Sequence, residues 1–302
     1  MKNPVFKGSC TAMITPFDSG GLNETQMKKL IAFQRDHGSS ALVVAGTTGE
    51  SATLDIHEYE RLVDFSIQEA GGSMKIIAGI GGNCTQHCLE RGKFAQSVGA
   101  DAVLMSTPYY NKTTLPGLLR HFNTVADALE IPLILYNVPS RTAIGIPPEA
   151  YCALARHPNI NGVKEASGDF SLIAYLASTC GDSLNLWCGN DDQTVPMMAL
   201  GAKGVISVAS NLVPGEISRL CACCLSGNYT AALEIFKEYA SLCRLLFSET
   251  NPIPVKTAMA LLGLDSGRLR LPLVEMGTAN REMLKACLKR LAIQVEEKYR
   301  CA

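Results

Sequence analysis

The chain has 302 residues, of which 47% are hydrophobic and 18% charged, and its formal net charge is −1. This composition is typical of a globular protein with a large core, and the balanced charge argues against nucleic acid as a partner. Residues 1–10 lack the apolar core of a signal peptide, and no apolar run approaches membrane-spanning length. We therefore expect a cytoplasmic protein with neither a nucleic-acid nor a membrane partner.

Short apolar segments recur along the chain and predict eight strands. They are Cys10–Thr15, Ala41–Ala45, Lys75–Ile80, Asp101–Ser106, Pro132–Tyr136, Ile160–Ala166, Leu184–Cys188 and Gly204–Val208. The gaps between them have helical spacing of apolar residues, as in Glu24–His37 and His57–Ala70. Eight strands alternating with helices predict an α/β fold, a parallel (β/α)₈ (TIM) barrel, rather than an open doubly wound sheet. No GxGxxG sequence follows a strand to support dinucleotide binding.

After Ser210 the pattern changes to helices without intervening strands. The predicted helices are Glu216–Leu225, Tyr229–Phe247, Val255–Leu262 and Arg281–Arg300. The segment Asn251-Pro252-Ile253-Pro254 separates two of them, because proline is not tolerated in a helix interior. We predict a barrel domain over residues 1–226, which carries the active site, and a small all-helical domain over residues 227–302.

Lys164 and Glu165 lie near the end of the predicted sixth strand. Successive strand side chains face opposite sides, so only one of the two can face the barrel interior. A lysine buried there loses hydration, which favours the neutral amine that condenses with a carbonyl to give a Schiff base. On this stretch alone, the commoner outcome is a structural lysine that reaches solvent or pairs with an acid.

Catalytic groups of such barrels gather at the C-terminal ends of the strands. These ends carry an amine, phenols, hydroxyls and a guanidinium, and their residues include Thr47, Thr48, Tyr110, Tyr136, Arg141, Lys164 and Ser207. Each has a structural alternative, such as a tight turn for Gly-Thr-Thr-Gly or a core cap for Tyr136. Together they supply a nucleophile, groups that move protons and a carboxylate clamp. This combination favours a metal-independent class I aldolase-type enzyme.

We expect no metal, no cofactor and no disulfide framework. The Cys221-Ala222-Cys223-Cys224 cluster lacks a second Cys/His pair at suitable spacing, and no HExxH sequence occurs. Most of the twelve cysteines are therefore interpreted as small hydrophobic residues.

Several of these sequences resemble the signatures of the dihydrodipicolinate synthase family of pyruvate-dependent barrels. The matching segments are 46–51 (GTTGES), 107–111 (TPYYN), 136–142 (YNVPSRT), 162–166 (GVKEA), 204–208 (GVISV) and 251–256 (NPIPVK). The resemblance extends from Gly8 to about Leu291. It implies a lyase that condenses pyruvate with L-aspartate 4-semialdehyde in lysine and diaminopimelate biosynthesis, working as a homotetramer built of tight dimers.

The resemblance also implies roles for seven residues. Lys164 corresponds to the Schiff-base lysine, and Tyr136, Thr47 and Tyr110 to the proton relay, with Tyr110 supplied by a neighbouring subunit. Thr48 and the backbone of Ile206 correspond to pyruvate-binding positions, and Arg141 to the arginine that meets the semialdehyde carboxylate. Ala143 stands where members often carry glycine, which affects no catalytic group.

Other functions remain open at this point. N-acetylneuraminate lyase and 2-keto-3-deoxy-sugar-acid aldolases share the lysine and tyrosine, but usually lack the Thr-Thr pair and the arginine. A barrel that only binds or regulates would have lost catalytic groups, and none of those named is lost.

The resemblance bears on regulation as well. Members that lysine inhibits hold it at a dimer interface, at positions that match Ser51, Ala52, Ile56, Tyr59, Asn83, His87 and Tyr109 here. His87 stands where a glutamate typically faces the ammonium of the ligand, so we expect weak or absent inhibition. Glu50 or another nearby acid is the alternative countercharge.

Overall fold

Eight parallel strands close into a barrel in the computed structural model, which describes residues 2–301. They are β1 (Gly8–Ala12), β2 (Ala41–Val44), β3 (Lys75–Gly79), β4 (Ala102–Ser106), β5 (Leu133–Asn137), β6 (Ile160–Glu165), β7 (Asn185–Cys188) and β8 (Gly204–Ser207). Each strand pairs with the next, and β8 pairs with β1. Closure requires Gly204, because a Cβ at this residue would overlap the backbone of Gly8. The predicted (β/α)₈ fold is confirmed.

Helices follow the strands, and further helices follow the barrel. They are α1 (Glu24–Asp36), α2 (Ile56–Ala70), α3 (Thr85–Ser97), α4 (Leu115–Asp127), α5 (Pro139–Thr142), α6 (Pro148–Leu154), α7 (Phe170–Thr179), α8 (Thr194–Ala199), α9 (Pro214–Leu225), α10 (Tyr229–Leu245), α11 (Ile253–Leu261) and α12 (Thr278–Arg290). Local capping sets some boundaries: Asp55 and Glu58 form a capping box at the start of α2, and Gly71 ends that helix in a left-handed conformation.

The core has two parts, one inside the barrel and one between the strands and the helices. The interior contains Cys10, Ile206 and Trp187. Trp187 stacks on Phe6, with ring centroids 5.1 Å apart, and its Nε1 donates to the Phe6 carbonyl at 3.2 Å. Side chains thus fill the interior below the C-terminal ends of the strands, where the polar groups lie.

The largest errors in the predicted boundaries concern two elements. The first strand runs from Gly8 to Ala12 rather than from Cys10 to Thr15, and the last helix runs from Thr278 to Arg290 rather than from Arg281 to Arg300. Ala292 has a φ of 49°, which ends the helix, whereas Val295 and Tyr299 stay buried beyond it. Apolar spacing that continues past a helix end explains the second error.

The C-terminal helices pack on the barrel as well as on one another. Helix α10 contacts α8 and α9, and α12 contacts α10 and α11. Pro254 lies in the first turn of α11, where a missing N–H is tolerated. The domain boundary at residue 226 stays a prediction. Within residues 2–301, no helix is both long enough and apolar enough to cross a membrane, and the twelve cysteines are free.

Candidate active site

Lys164 lies at the end of β6 and faces the barrel interior together with Tyr136 of β5. The two residues are register partners in the sheet, and Lys164 Nζ lies 4.4 Å from the centroid of the Tyr136 ring. Both side chains are buried. In the part of the chain that the structure describes, no carboxylate forms an ion pair with Lys164. A buried amine without a fixed anionic partner is suited to act as a nucleophile.

Glu165, the next residue, faces the opposite side of β6 and is fully buried. Its carboxylate accepts hydrogen bonds from Tyr151 Oη at 2.7 Å, Asn137 Nδ2 at 2.9 Å and Ser167 N at 2.8 Å. Burial and the adjacent carboxylate raise the pKa of Tyr151 well above its ordinary value, so the phenol keeps the proton that it donates. These bonds fix the ends of β5 and β6, and therefore fix Tyr136 and Lys164 relative to each other.

Two cavities meet above these residues, with volumes of about 390 Å³ and 540 Å³. Tyr136, Val138, Arg141, Thr250 and Asn251 line both of them. Lys164 and Thr48 line the larger cavity, and Thr47 and Tyr109 line the smaller one. The cavities therefore form two halves of one cleft, which brings together five of the seven predicted site residues.

The Gly46–Ser51 turn presents Thr47 and Thr48 to this cleft. It is closed by hydrogen bonds from Gly49 N to the Gly46 carbonyl and from Glu50 N to the Thr47 carbonyl, each 3.1 Å long. The hydroxyl of Thr48 accepts a hydrogen bond from Asn251 Nδ2 at 2.9 Å. Both threonines are therefore held by the turn, and Thr48 is also held by the segment that begins α11.

Arg141 belongs to the short helix α5, directly after β5. Its Nη2 donates to the Asn251 carbonyl at 3.2 Å, which leaves the other guanidinium donors available to a ligand in the cleft. Ala143 ends α5 with a φ of 55°, a conformation that costs an alanine roughly 1–2 kcal/mol. The loop after Arg141 thus keeps a shape that suits glycine better than alanine.

Two predicted site residues lie outside the cleft of this single chain. Tyr110 is 92% exposed at the tip of a loop and has a φ of 68°. Ile206 is buried in the barrel interior, where it pairs with Cys10, and lines neither cavity. In this single chain, neither side chain therefore lines the cleft.

Sequence reasoning missed Asn251 as a site residue, although it contacts both Thr48 and Arg141. Its Oδ1 atom is buried and has no partner within residues 2–301. In the sequence, the segment Asn251–Lys256 indicates only a helix separator and part of a family signature. The signal that it offers is a polar residue directly before Pro252, a pair that is typical of a turn.

Asp191 is a second buried acid near the cleft. Its Oδ2 atom accepts hydrogen bonds from Val208 N and Ala209 N, both at 3.0 Å, and so fixes the loop after β8. Burial raises the pKa of this carboxyl above its usual value. Within residues 2–301, no three His, Cys, Asp or Glu side chains are grouped so as to hold a metal ion.

Together, a (β/α)₈ barrel and a buried lysine at the end of its sixth strand define a class of lysine-dependent barrel enzymes. The model of the dihydrodipicolinate synthetase family matches residues 5–291. The 4-hydroxy-tetrahydrodipicolinate synthase of Thermoanaerobacter sp. (strain X514) is 46% identical over 97% of this chain and 99% of its own length.

Solved structures agree with this match. The dihydrodipicolinate synthase of Aquifex aeolicus superposes with a TM-score of 0.94, at 42% identity, over 97% of this chain and all of its own. The Acinetobacter baumannii enzyme, solved as a complex with pyruvate, gives 0.93 at 38% identity, over 95% of this chain and 99% of its own.

The chain belongs to the dihydrodipicolinate synthetase family. The enzymatic function expected from the sequence is confirmed as well: it is that of a 4-hydroxy-tetrahydrodipicolinate synthase, a lyase of lysine and diaminopimelate biosynthesis.

Proposed function

We propose that this synthase works through a Schiff base between Lys164 Nζ and the C2 carbonyl of pyruvate. The observation that carries the proposal is the burial of Lys164 against the Tyr136 ring, in a cleft where no carboxylate of residues 2–301 forms a salt bridge with it. The pyruvate complex of the Acinetobacter baumannii relative supports the choice of the first substrate.

The proposed reaction has four steps. Lys164 adds to C2 of pyruvate and water leaves, which gives an iminium ion. Loss of a proton from C3 gives the enamine, whose C3 then attacks the aldehyde carbon of L-aspartate 4-semialdehyde. The amino group of the semialdehyde finally attacks C2, which closes the ring and releases Lys164 as the free amine. No step requires a metal or a cofactor.

Each step moves a proton, and the cleft offers hydroxyl groups for this purpose. Tyr136 lies beside Lys164 and lines both cavities. Thr47 lines the smaller cavity. We assign proton transfer to Tyr136 and Thr47, and binding of the pyruvate carboxylate to Thr48 and the backbone of Ile206. Arg141 binds the carboxylate of the semialdehyde through its remaining donors.

Tyr110 completes the relay from a second copy of the chain. Its exposed position and left-handed backbone support this role, because a phenol held away from its own chain can enter a neighbouring cleft. We propose a tight dimer, paired into a homotetramer, in which each cleft receives the Tyr110 of the partner subunit.

The cytoplasmic location expected from the sequence also stays a prediction.

Trapping with borohydride tests the proposal. Borohydride reduces the imine, so mass spectrometry of the enzyme treated with pyruvate should find the adduct on Lys164. The Lys164→Met variant should give no adduct and lose activity by at least about 10⁴-fold, because the covalent route is gone. An adduct on any other residue would sink the assignment, as would turnover by the variant.

A further inference from the structure

Lys256 and Glu50 form an ion pair that is completely buried. Lys256 Nζ lies 2.8 Å from Glu50 Oε1, and both side chains have 0% exposure. The same ammonium donates to the Thr15 carbonyl at 2.9 Å and lies 4.4 Å from the centroid of the Phe17 ring. Removing two ions from water costs several kcal/mol each, so an apolar pair of the same shape would often be equally stable or more stable. Stability alone therefore does not account for this pair.

Glu50 is part of the turn that carries Thr47 and Thr48. It has a φ of 54°, a left-handed conformation that glutamate adopts only at a cost of roughly 1–2 kcal/mol. Its N–H donates to the Thr47 carbonyl, and its Oε2 atom accepts from Arg270 N at 3.0 Å. The pair with Lys256 thus holds the strained corner of the turn, three residues after Thr47.

Two further hydrogen bonds hold the same turn. Thr15 Oγ1 donates to the Gly49 carbonyl at 2.6 Å, and Thr15 is the residue whose own carbonyl binds Lys256. On the other side, Asn251 donates to the Thr48 hydroxyl. Because Asn251 and Lys256 belong to one short segment at the start of α11, this segment holds both sides of the turn.

We propose that Lys256 is a positioning residue for the reaction. Through Glu50 it keeps Thr47 and Thr48 in the arrangement in which they serve pyruvate on Lys164. Lys256 itself lines neither cavity, so it acts only through the turn. The inference rests on the proposed function, from which it takes the roles of the two threonines.

The test replaces the pair without leaving a single charge buried. The double variant Lys256→Met/Glu50→Gln keeps the side-chain volumes and removes both charges. Misplacing a catalytic group by about 1 Å costs roughly 100-fold, so we expect kcat to fall about that much. The KM for pyruvate should rise roughly tenfold. The KM for the semialdehyde should stay within about twofold, because Arg141 lies on α5 and donates to the backbone of Asn251 rather than to either member of the pair.

Circular dichroism first establishes a temperature at which every variant is folded. The matched control is Lys237→Met/Glu234→Gln, which removes an exposed pair on α10 whose Nζ–Oε1 distance is also 2.8 Å and should leave the kinetics unchanged. Glu50→Asp alone keeps both charges and shortens the acid by one methylene group, so it should show the same split between the two KM values at smaller size. It also provides the measurement if the double variant does not fold.

A folded double variant with kcat and pyruvate KM within about twofold of wild type would make the pair purely structural. An equal rise in both KM values would also contradict the inference, since it would show a general disturbance of the cleft. Borohydride trapping of the wild-type enzyme separates the two proposals. If Lys164 is not labelled there, the proposed function fails, whatever the variants of the pair do.

Discussion

Lys164 and Lys256 are the two buried lysines among residues 2–301, and their surroundings differ. At the barrel mouth, the amine of Lys164 has the face of the Tyr136 ring beside it and no ion-paired carboxylate. Where α11 meets the barrel, the ammonium of Lys256 also lies over an aromatic ring, that of Phe17, but Glu50 and a backbone carbonyl bind it.

Burial alone therefore does not mark a reactive lysine. The two lysines differ in whether the amine has a fixed anionic partner, because such a partner holds the amine in place whereas an unpaired amine remains available to a ligand. The same contrast separates the roles of the two regions. In our proposals, the reaction takes place at the mouth, and the contact with the C-terminal helices positions the residues that take part in it.

The strongest test of this comparison is to measure the free energy of unfolding of a variant at each lysine. Replacing Lys256 with Met leaves the Glu50 carboxylate buried without its partner, so the free energy of unfolding should fall by about 3–5 kcal/mol. Replacing Lys164 with Met removes an unpaired polar group and should change it by less than about 1 kcal/mol. Urea denaturation of both variants measures the difference. Equal losses would mean that Lys164 is structural too.

A second prediction concerns Asp265, a buried acid near the Lys256–Glu50 pair. Burial raises the pKa of this carboxyl to about 6. Its Oδ2 atom accepts from Gly267 N at 2.9 Å, whereas Oδ1 has no partner among residues 2–301. Because the unfolded value is about 3.9, the folded state binds more protons between these pH values, and stability falls as the pH rises through this range.

The expected size of this loss is about 2 kcal/mol between pH 4 and pH 7. Asp265→Asn removes the titration, so its free energy of unfolding should match that of wild type near pH 4 and exceed it near pH 7. Denaturation curves at both pH values decide the matter. If wild type instead became increasingly more stable than Asp265→Asn as the pH rises, the predicted direction of the pH dependence would be wrong.

The barrel mouth should show the opposite behaviour, with large kinetic effects and small effects on stability. Arg141→Ala removes donors for the semialdehyde carboxylate, and hydrogen bonds to a charged group contribute about 1.5–3 kcal/mol. The KM for the semialdehyde should therefore rise roughly 10- to 100-fold. Borohydride labelling of Lys164 with pyruvate should persist. Equal damage to the use of both substrates would assign Arg141 to structure.

Tyr110 extends the comparison across a subunit boundary. Tyr110→Phe and Lys164→Met should each be nearly inactive alone. In an equal mixture, half of the dimers are mixed, and one cleft in each of these combines an intact Lys164 with an intact Tyr110 from the partner. A quarter of all clefts are then intact, so about a quarter of the wild-type activity should return after reassembly. Mass spectrometry verifies the mixed dimers, and no recovery in them would place Tyr110 outside the shared site.

The two regions also differ in how well the sequence predicts them. The barrel was predictable because each strand is a short apolar run with its own local signal, and β6 was placed with an error of one residue at its end. The place of Lys164 at the end of β6 is predictable for the same reason, whereas its catalytic role stays a prediction. The ribbon formed by Phe17–Asp18 and Gly21–Leu22 was missed, because two-residue strands carry almost no periodicity.

The Lys256–Glu50 pair was not predictable, since 206 residues separate its members. Each looks like an ordinary charged residue of a loop or a helix, and only the tertiary fold brings them together. In the sequence, Glu50 is only part of a family signature and a candidate countercharge for a bound lysine. The contact between Asn251 and Thr48 was not predictable for the same reason, because hydrogen bonds between distant segments leave no local sequence pattern.

The position of Glu50 also bears on regulation by free lysine, the effect that we expect to be smallest. A free lysine carries the same ammonium group as Lys256, and the family resemblance predicts that it would lie at Ser51 and Tyr109. Glu50 lines the same cavity as these two residues, but its carboxylate already binds Lys256 and Arg270 N, so it is not free to serve as a countercharge. His87, at the position of the usual glutamate, supplies no negative charge.

Arg91 makes this region still less suited to a cation. It lines the same cavity as Ser51 and Tyr109, and its guanidinium lies 5.0 Å from the centroid of the Tyr59 ring. Lack of a carboxylate costs a desolvated ammonium roughly 2–5 kcal/mol, or about thirtyfold to several thousandfold in affinity. Activity measured against rising lysine at saturating pyruvate should therefore show weak or no inhibition, and His87→Glu should increase the sensitivity. Half-inhibition of the wild-type enzyme at submillimolar lysine would mean that an ammonium can be bound here without the carboxylate that Lys256 requires.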